Sequence, residues 1–105
     1  MVHSMEHEKQ QIAEAVAILS YDLDRVNPTV PTLLKDHTLD ELVAQREDLL
    51  GKIDEQVVLD GFYEVPAWMD ASWLATQLQT EFGSEVDAGE HLGTKAIVIV
   101  PHYKI

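Results

Sequence analysis

The sequence predicts an α+β fold in which helices cover a small sheet, and three features support this prediction. A heptad pattern of apolar residues near the N-terminus predicts a long helix, and a capping box at Thr38 predicts a second one. The β-branched run at residues 96–100 predicts a strand. At 105 residues we expect a single domain over residues 1–105, with one core.

The first helix is expected over residues 4–27. Ser4 is its expected N-cap, and Asn27 followed by Pro28 is its expected end. Because its middle is apolar around most of its circumference, we expect more than one face to be covered. Its apolar residues alternate in steps of three and four, with Lys9 in one polar slot, as in the seam of a short coiled coil. The members of this seam are Met5, Ile12, Val16, Leu19, Leu23 and Val26.

A second helix is expected after a connector that runs from Val30 onward and that Pro28 and Pro31 keep extended. It begins at Thr38, because Thr38 and Glu41 fit a capping box in which each side chain satisfies the other's backbone N–H. It either ends near Gly51, since glycine is unfavourable inside a helix, or runs on to about Glu55. We expect these two helices to pack as an antiparallel pair.

A β-hairpin is predicted next, because Asp60 and Gly61 stand between two β-forming segments and suit a type I′ turn. The alternative is a helix that continues through Leu59 and is capped by Gly61. A third helix follows, with Asp70 as its N-cap and Gly83 just beyond its end.

The C-terminal part is expected to be a loop followed by a strand. Residues 84–94 are polar and contain glycine, which indicates the loop. The run at 96–100 is continuously apolar and is expected to be buried on both faces, with Pro101 ending it.

Composition excludes several classes of function. Seven Lys and Arg against nineteen Asp and Glu give a net charge of −12, which disfavours nucleic acid and anionic membranes as direct partners. The absence of cysteine excludes disulfides, thiolate nucleophiles and Cys-bound metals. The longest apolar runs are five residues, far short of a membrane span. Charged residues stand where a signal peptide would be apolar, so we expect a cytoplasmic protein.

Two short patterns resemble metal sites, and we interpret both as coincidence. Residues 3–7 read His-Ser-Met-Glu-His, the spacing of one zinc-peptidase class, but a peptidase domain needs far more chain. Residues 22–24 read Asp-Leu-Asp like the start of a calcium loop, but the essential glycine is absent. We therefore expect no metal, no cofactor and no catalytic residue set.

Aromatic residues are concentrated between positions 62 and 82, with acidic residues among them. One hypothesis is a small-molecule pocket in which a buried carboxylate has a raised pKa and acts as a general base, helped by His91 or His102. The alternative is that Trp68 and Phe82 are core residues and Trp73 packs at a rim or a subunit interface. The candidate pocket residues are Asp60, Phe62, Tyr63, Glu64, Trp68, Asp70 and Trp73.

Charge is also distributed unevenly along the chain. From Asp54 to Thr94 there are nine acidic residues and no Lys or Arg. Such a stretch is either a solvated, solubilising surface or a negative patch for a basic partner. The candidate patch consists of Glu81, Glu85, Asp87 and Glu90.

The leading functional hypothesis is a small acidic interaction module without enzymatic activity that self-associates. The first helix is apolar on more sides than its neighbours can cover, so we expect a dimer or a higher even multiple, with Ile18 and Trp73 at the interface. One alternative is a charge-mimic binder or inhibitor of a basic or nucleic-acid-handling protein. Another is a small-molecule-binding domain or small enzyme that uses the cluster from Phe62 to Phe82.

Overall fold

A computed structural model describes residues 5–100, and within them it contains four helices and one three-stranded antiparallel sheet. The α+β class is therefore confirmed. The chain divides into two compact units, one ending at Leu49 and the other beginning at Leu50, inside the third helix. The expectation of one domain stays a prediction. In order, the elements are α1 (Met5–Asp24), α2 (Val30–Asp36), α3 (Leu39–Asp60), β1 (Phe62–Glu64), α4 (Ala71–Phe82), β2 (Val86–His91) and β3 (Thr94–Ile99).

The first helix of the sequence analysis is α1. Ile12, Val16 and Leu19 of the predicted seam are buried, as an apolar stripe requires. The helix ends at Asp24, earlier than predicted, because Arg25 adopts a left-handed backbone with φ 58° and breaks the helical repeat. The predicted N-cap, Ser4, lies outside the described residues.

The prediction of an extended connector is wrong, since Val30–Asp36 forms the short helix α2. The Thr29 side chain caps its start by accepting a backbone N–H from the first turn. Pro31 fits this turn because the N–H that proline lacks would have no helical partner there. Lys9 of α1 donates from Nζ to the carbonyl of Leu34 at 2.9 Å, which ties α2 to α1.

The capping box at the start of α3 is confirmed. The N–H of Thr38 donates to Glu41 Oε1 at 2.8 Å, and the N–H of Glu41 donates to Thr38 Oγ1 at 3.2 Å. Two backbone donors that the helix leaves unpaired are thereby satisfied. The antiparallel arrangement of the two long helices stays a prediction.

The hairpin predicted at Asp60 and Gly61 is wrong, and its alternative, a continuing helix, is confirmed. Helix α3 extends to Asp60, and Gly61 ends it with φ 88° and an N–H that donates to the carbonyl of Val57 at 2.8 Å. Ile53 and Val57 continue the apolar stripe at helical spacing, and both are fully buried. Their burial outweighs the roughly 1 kcal/mol that Gly51 costs inside a helix.

The sheet belongs to the second unit and has the order β1-β3-β2, with both pairings antiparallel. The central strand, β3, is the predicted C-terminal strand. Ala96 and Ile97 are buried, whereas residues 98–100 are half-buried or exposed, so the expected burial on both faces is wrong for that half. Strand β2 occupies much of the segment 84–94 that we expected to be a loop.

Helix α4 confirms the third predicted helix, with Asp70 at its N-cap and Gly83 at its C-cap. The glycine adopts φ 65°, the left-handed conformation that commonly ends helices. The helix contacts β2 and β3. Its buried residues are Ala71, Leu74, Ala75 and Leu78.

Candidate functional site: a groove beside the open edge of β2

A groove of about 640 Å³ adjoins the edge strand β2 in the second unit. It is lined by residues 67–72, which lead into α4, by residues 88–90 of β2, and by Lys95 of β3. Loop, helix start and sheet edge thus contribute to one shallow depression that is largely open to solvent.

Lys95 holds the loop wall of this groove in place. Its Nζ donates to the carbonyl of Met69 at 2.6 Å and to that of Ala67 at 3.2 Å. The loop is further fixed by the N–H of Val65, which donates to the carbonyl of Lys95 at 2.9 Å, and by the N–H of Met69, which donates to Pro66 at 3.0 Å. The ammonium group is therefore bound to backbone oxygens of the loop.

Three side chains give the groove its chemical character. The Trp68 side chain is 50% exposed. Asp70 Oδ1 accepts the N–H of Ser72 at 2.9 Å and of Trp73 at 3.3 Å, so this carboxylate caps α4 as well as lining the groove. Glu90 is exposed on the strand side. Among the residues that line the groove, these two carboxylates outnumber the single ammonium group, that of Lys95, and the indole face also favours a cation over an anion.

Strand β2 has an open edge, because β3 is its only neighbour in the sheet of the described chain. The N–H of Val100 donates to the carbonyl of Glu85 at 2.9 Å, which makes these residues a hydrogen-bonded pair. Along an antiparallel ladder, hydrogen-bonded pairs alternate with pairs that are not hydrogen-bonded to each other. The backbone N–H and C=O groups at positions 86, 88 and 90 therefore point away from β3, toward the open edge.

Side chains cap one end of this edge and not the other. Gln79 Nε2 donates to the carbonyl of Val86 at 2.8 Å, and the N–H of Ala88 donates to Asp87 Oδ1 at 2.8 Å. Among the described residues, no such cap is found at the carbonyl of Ala88 or the N–H of Glu90. These two groups belong to the stretch that lines the groove.

Of the seven candidate pocket residues, Trp68 and Asp70 line the groove. Phe62 lies on β1 and stacks on His91 of β2, with ring centroids 3.7 Å apart and 9° between the ring planes. Tyr63 is buried on the other sheet face, since successive strand residues alternate in direction. The aromatic cluster is therefore spread over several surfaces.

The carboxylates of the pocket hypothesis are all accessible to solvent. Asp60 ends α3, Glu64 lies on β1 and Asp70 caps α4, and each is exposed. None of them has the burial on which the general-base hypothesis depends. Trp73 is half-buried in α4, and His102 lies outside the described residues. The small-molecule pocket stays a prediction.

The candidate acidic patch follows the end of α4 and the edge strand. Glu81 is in the last turn of α4, and Glu85 is in the connection before β2. Asp87 and Glu90 are three residues apart on β2, so they point to opposite faces of the sheet. The patch therefore surrounds an edge rather than covering one flat surface.

Lys95, Ala88 and Gly89 are parts of this site that the sequence did not predict. One signal pointed to Lys95, which is the first cation after the acidic stretch from Asp54 to Thr94 and stands at the start of the apolar run. Nothing comparable pointed to Ala88 and Gly89, because their contribution depends on the backbone of β2.

Residues 5–100 contain no group of three His, Asp or Glu side chains placed to hold a metal ion. Nor does any helix in that range have the length and apolarity to cross a membrane. The His-Ser-Met-Glu-His pattern begins at His3, outside the described residues.

Comparison of the chain with protein-family models, with curated proteins and with solved structures found no match.

Proposed function

We propose that the protein is an interaction module without enzymatic activity, and that its second unit binds a positively charged partner protein. The observation that supports this most directly is the set of exposed acidic side chains at the open edge strand, Glu85, Asp87 and Glu90. They belong to the stretch from Asp54 to Thr94, which contains nine acidic residues and no Lys or Arg. The next cation, Lys95, donates to two backbone carbonyls. A basic partner would be attracted to this exposed concentration of negative charge.

The position of these charges on an edge strand also selects among partners. An open edge exposes unpaired backbone groups and can pair with the same edge of another copy. Carboxylates at Asp87 and Glu90 oppose that pairing, because two copies would bring like charges together. A basic segment would instead place positive charges beside these carboxylates. The same two side chains therefore disfavour pairing between two β2 edges and favour a cationic partner. A basic nucleic-acid-handling protein is one partner of this kind.

This proposal is tested by two charge-reversal variants with the same change in net charge. The test variant replaces Glu85, Asp87 and Glu90 with lysine. Binding of a short lysine homopolymer is measured at ~50 and ~300 mM salt, between which the Debye length falls from about 14 Å to about 6 Å. The matched control carries the same replacement at three exposed glutamates of α1, namely Glu6, Glu8 and Glu14.

We expect the test variant to lose more affinity than the control, because only the first set lies at the edge strand. Salt should weaken binding by the unmodified protein most strongly. Equal losses in the two variants would mean that only the overall charge of the chain matters, which contradicts a specific acidic surface.

Self-association is a second candidate function, and α1 provides the observation that favours it. Ile18 is 37% exposed and Tyr21 is 43% exposed, and residues three apart are neighbours on a helix surface. A second copy of the chain would cover them, giving a twofold dimer or a higher even multiple. Trp73 is the other interface residue proposed from the sequence.

Light scattering at micromolar concentration tests this second proposal. We expect a mass near twice 11.8 kDa or a higher even multiple. Ile18→Glu should lower the mass while helicity measured by circular dichroism stays unchanged. A control, Val58→Glu, changes an exposed apolar residue of α3 and should leave the mass as it is. A monodisperse monomer for the unmodified protein would contradict self-association.

A further inference from the structure

Resting on the proposed function, we propose that the basic partner docks as an extended segment that adds a strand to the open edge of β2. A lysine or arginine of this segment occupies the adjoining groove. Strand addition of this kind takes affinity from backbone hydrogen bonds and specificity from pockets for alternate side chains.

The backbone of β2 defines where the segment pairs. One residue of an added strand can donate its N–H to the carbonyl of Ala88 and accept the N–H of Glu90 through its own carbonyl, which is the pattern of a parallel ladder. Toward the start of β2, Gln79 already occupies the carbonyl of Val86. The available edge is therefore the stretch at residues 88–90, which is also the strand wall of the groove.

The groove selects the side chain. Side chains of an added strand alternate between the two sheet faces, so those on the same face as Ala88 and Glu90 enter the groove. There they meet Trp68, Asp70 and Glu90. A long cationic side chain can lie with its methylenes along the indole and its charge near the carboxylates. A neutral side chain would lack the attraction to the carboxylates, and an anionic one would be repelled by them.

The test uses an alternating Lys-Thr decapeptide with blocked ends, titrated into the protein and followed by calorimetry. Its comparison peptide has the same sequence with every peptide nitrogen methylated, which retains all charges but removes the donors needed for strand pairing. We expect methylation to weaken binding roughly tenfold or more, since two or more backbone hydrogen bonds are lost or distorted.

Protein variants locate the site. Trp68→Ala and Glu90→Gln should each weaken binding of the unmethylated peptide several-fold. The matched controls are Glu64→Gln, an exposed carboxylate on the opposite edge strand, and Leu59→Ala, an exposed apolar residue of α3, and both should bind as the unmodified protein does. Thermal unfolding of each variant shows whether the fold is retained.

The outcomes separate this inference from the function on which it rests. Equal binding of the two peptides would overturn strand addition, while the acidic surface would stand if charge reversal still weakened binding. Equal affinity of Trp68→Ala and Leu59→Ala would overturn the groove as the side-chain site. Failure of both peptides and of the lysine homopolymer would overturn the proposed function together with the inference.

Discussion

Replacing Leu92 with asparagine is expected to stabilise the protein. Leu92 and Gly93 form the two-residue turn between β2 and β3, next to His91 and Thr94, which are the last paired residues of the two strands. Their φ angles are 54° and 82°, and positive values at both central positions define a type I′ turn. Asparagine before glycine is favoured in such turns, whereas leucine suffers a clash between its Cβ and the backbone.

The size of the effect follows from the backbone and the exposure. A left-handed conformation costs an ordinary residue roughly 1–2 kcal/mol, and asparagine recovers part of this. Leu92 is 92% exposed, so its replacement sacrifices almost no apolar burial. We therefore expect a gain of about 1 kcal/mol in the free energy of unfolding. With a urea m value of about 1.5 kcal/mol/M, the midpoint should rise by ~0.7 M.

Urea unfolding followed by circular dichroism measures this gain. The control is Leu92→Ala, which removes the exposed side chain but keeps a Cβ at the same φ, so its stability should stay near that of the unmodified protein. Leu92→Gly should lie between them, because relief of the clash is partly offset by the greater entropy of glycine in the unfolded chain. If Leu92→Asn were no more stable than Leu92→Ala, backbone strain at this turn would be refuted.

Three further substitutions test how the second unit is held together, each by thermal or urea unfolding. Gly61→Ala should cost about 1 kcal/mol, because φ is 88° there and an added Cβ meets no atom within 4 Å, so the cost is one of backbone strain; an unchanged stability would contradict this. Asp70→Ala should cost about 1 kcal/mol by uncapping α4, whereas Asp70→Asn should retain most of the stability; equal losses would contradict the cap. Lys95→Met should destabilise the protein by about 1 kcal/mol and speed proteolysis of the segment at residues 66–70, because the carbonyls of Ala67 and Met69 lose their donor; unchanged proteolysis would contradict this anchoring.

Features set by neighbouring residues could be predicted from the sequence. The capping box at Thr38, the N-cap at Asp70 and the left-handed cap at Gly83 all occur as expected. Each depends on hydrogen bonds or φ angles within a few residues of chain, so the local sequence contains the needed information.

The hairpin shows where local information fails. Asp60 and Gly61 have the favoured composition of a type I′ turn, yet they end a helix, because Val57 before them is buried at helical spacing. Leu92 and Gly93 lack that composition, yet they form the turn, because the pairing of β2 with β3 fixes where the chain must reverse. In both places contacts between distant residues override the preference of the dipeptide.

The candidate site could be predicted only as separate parts. Trp68 and Asp70 belonged to one hypothesis and Glu90 to another, and the groove that joins them depends on β2 lying beside the loop that leads into α4. The strand itself was hard to recognise, since Gly89 interrupts its alternation and glycine is typical of loops. Its register with β3, which no short pattern contains, determines which backbone groups reach the open edge.

That register also explains why the two ends of the β2 edge differ in the backbone groups that they leave open. At Val86 the outward carbonyl is occupied by Gln79 of α4, so this end is closed by the protein itself. At Glu90 the outward backbone adjoins the groove, and the side chain there is a carboxylate. Complete closure would have excluded strand addition at this edge, and an apolar open end would have favoured pairing between copies. A charged open end beside a groove with an exposed indole is the arrangement on which the proposed docking of an extended, positively charged segment rests.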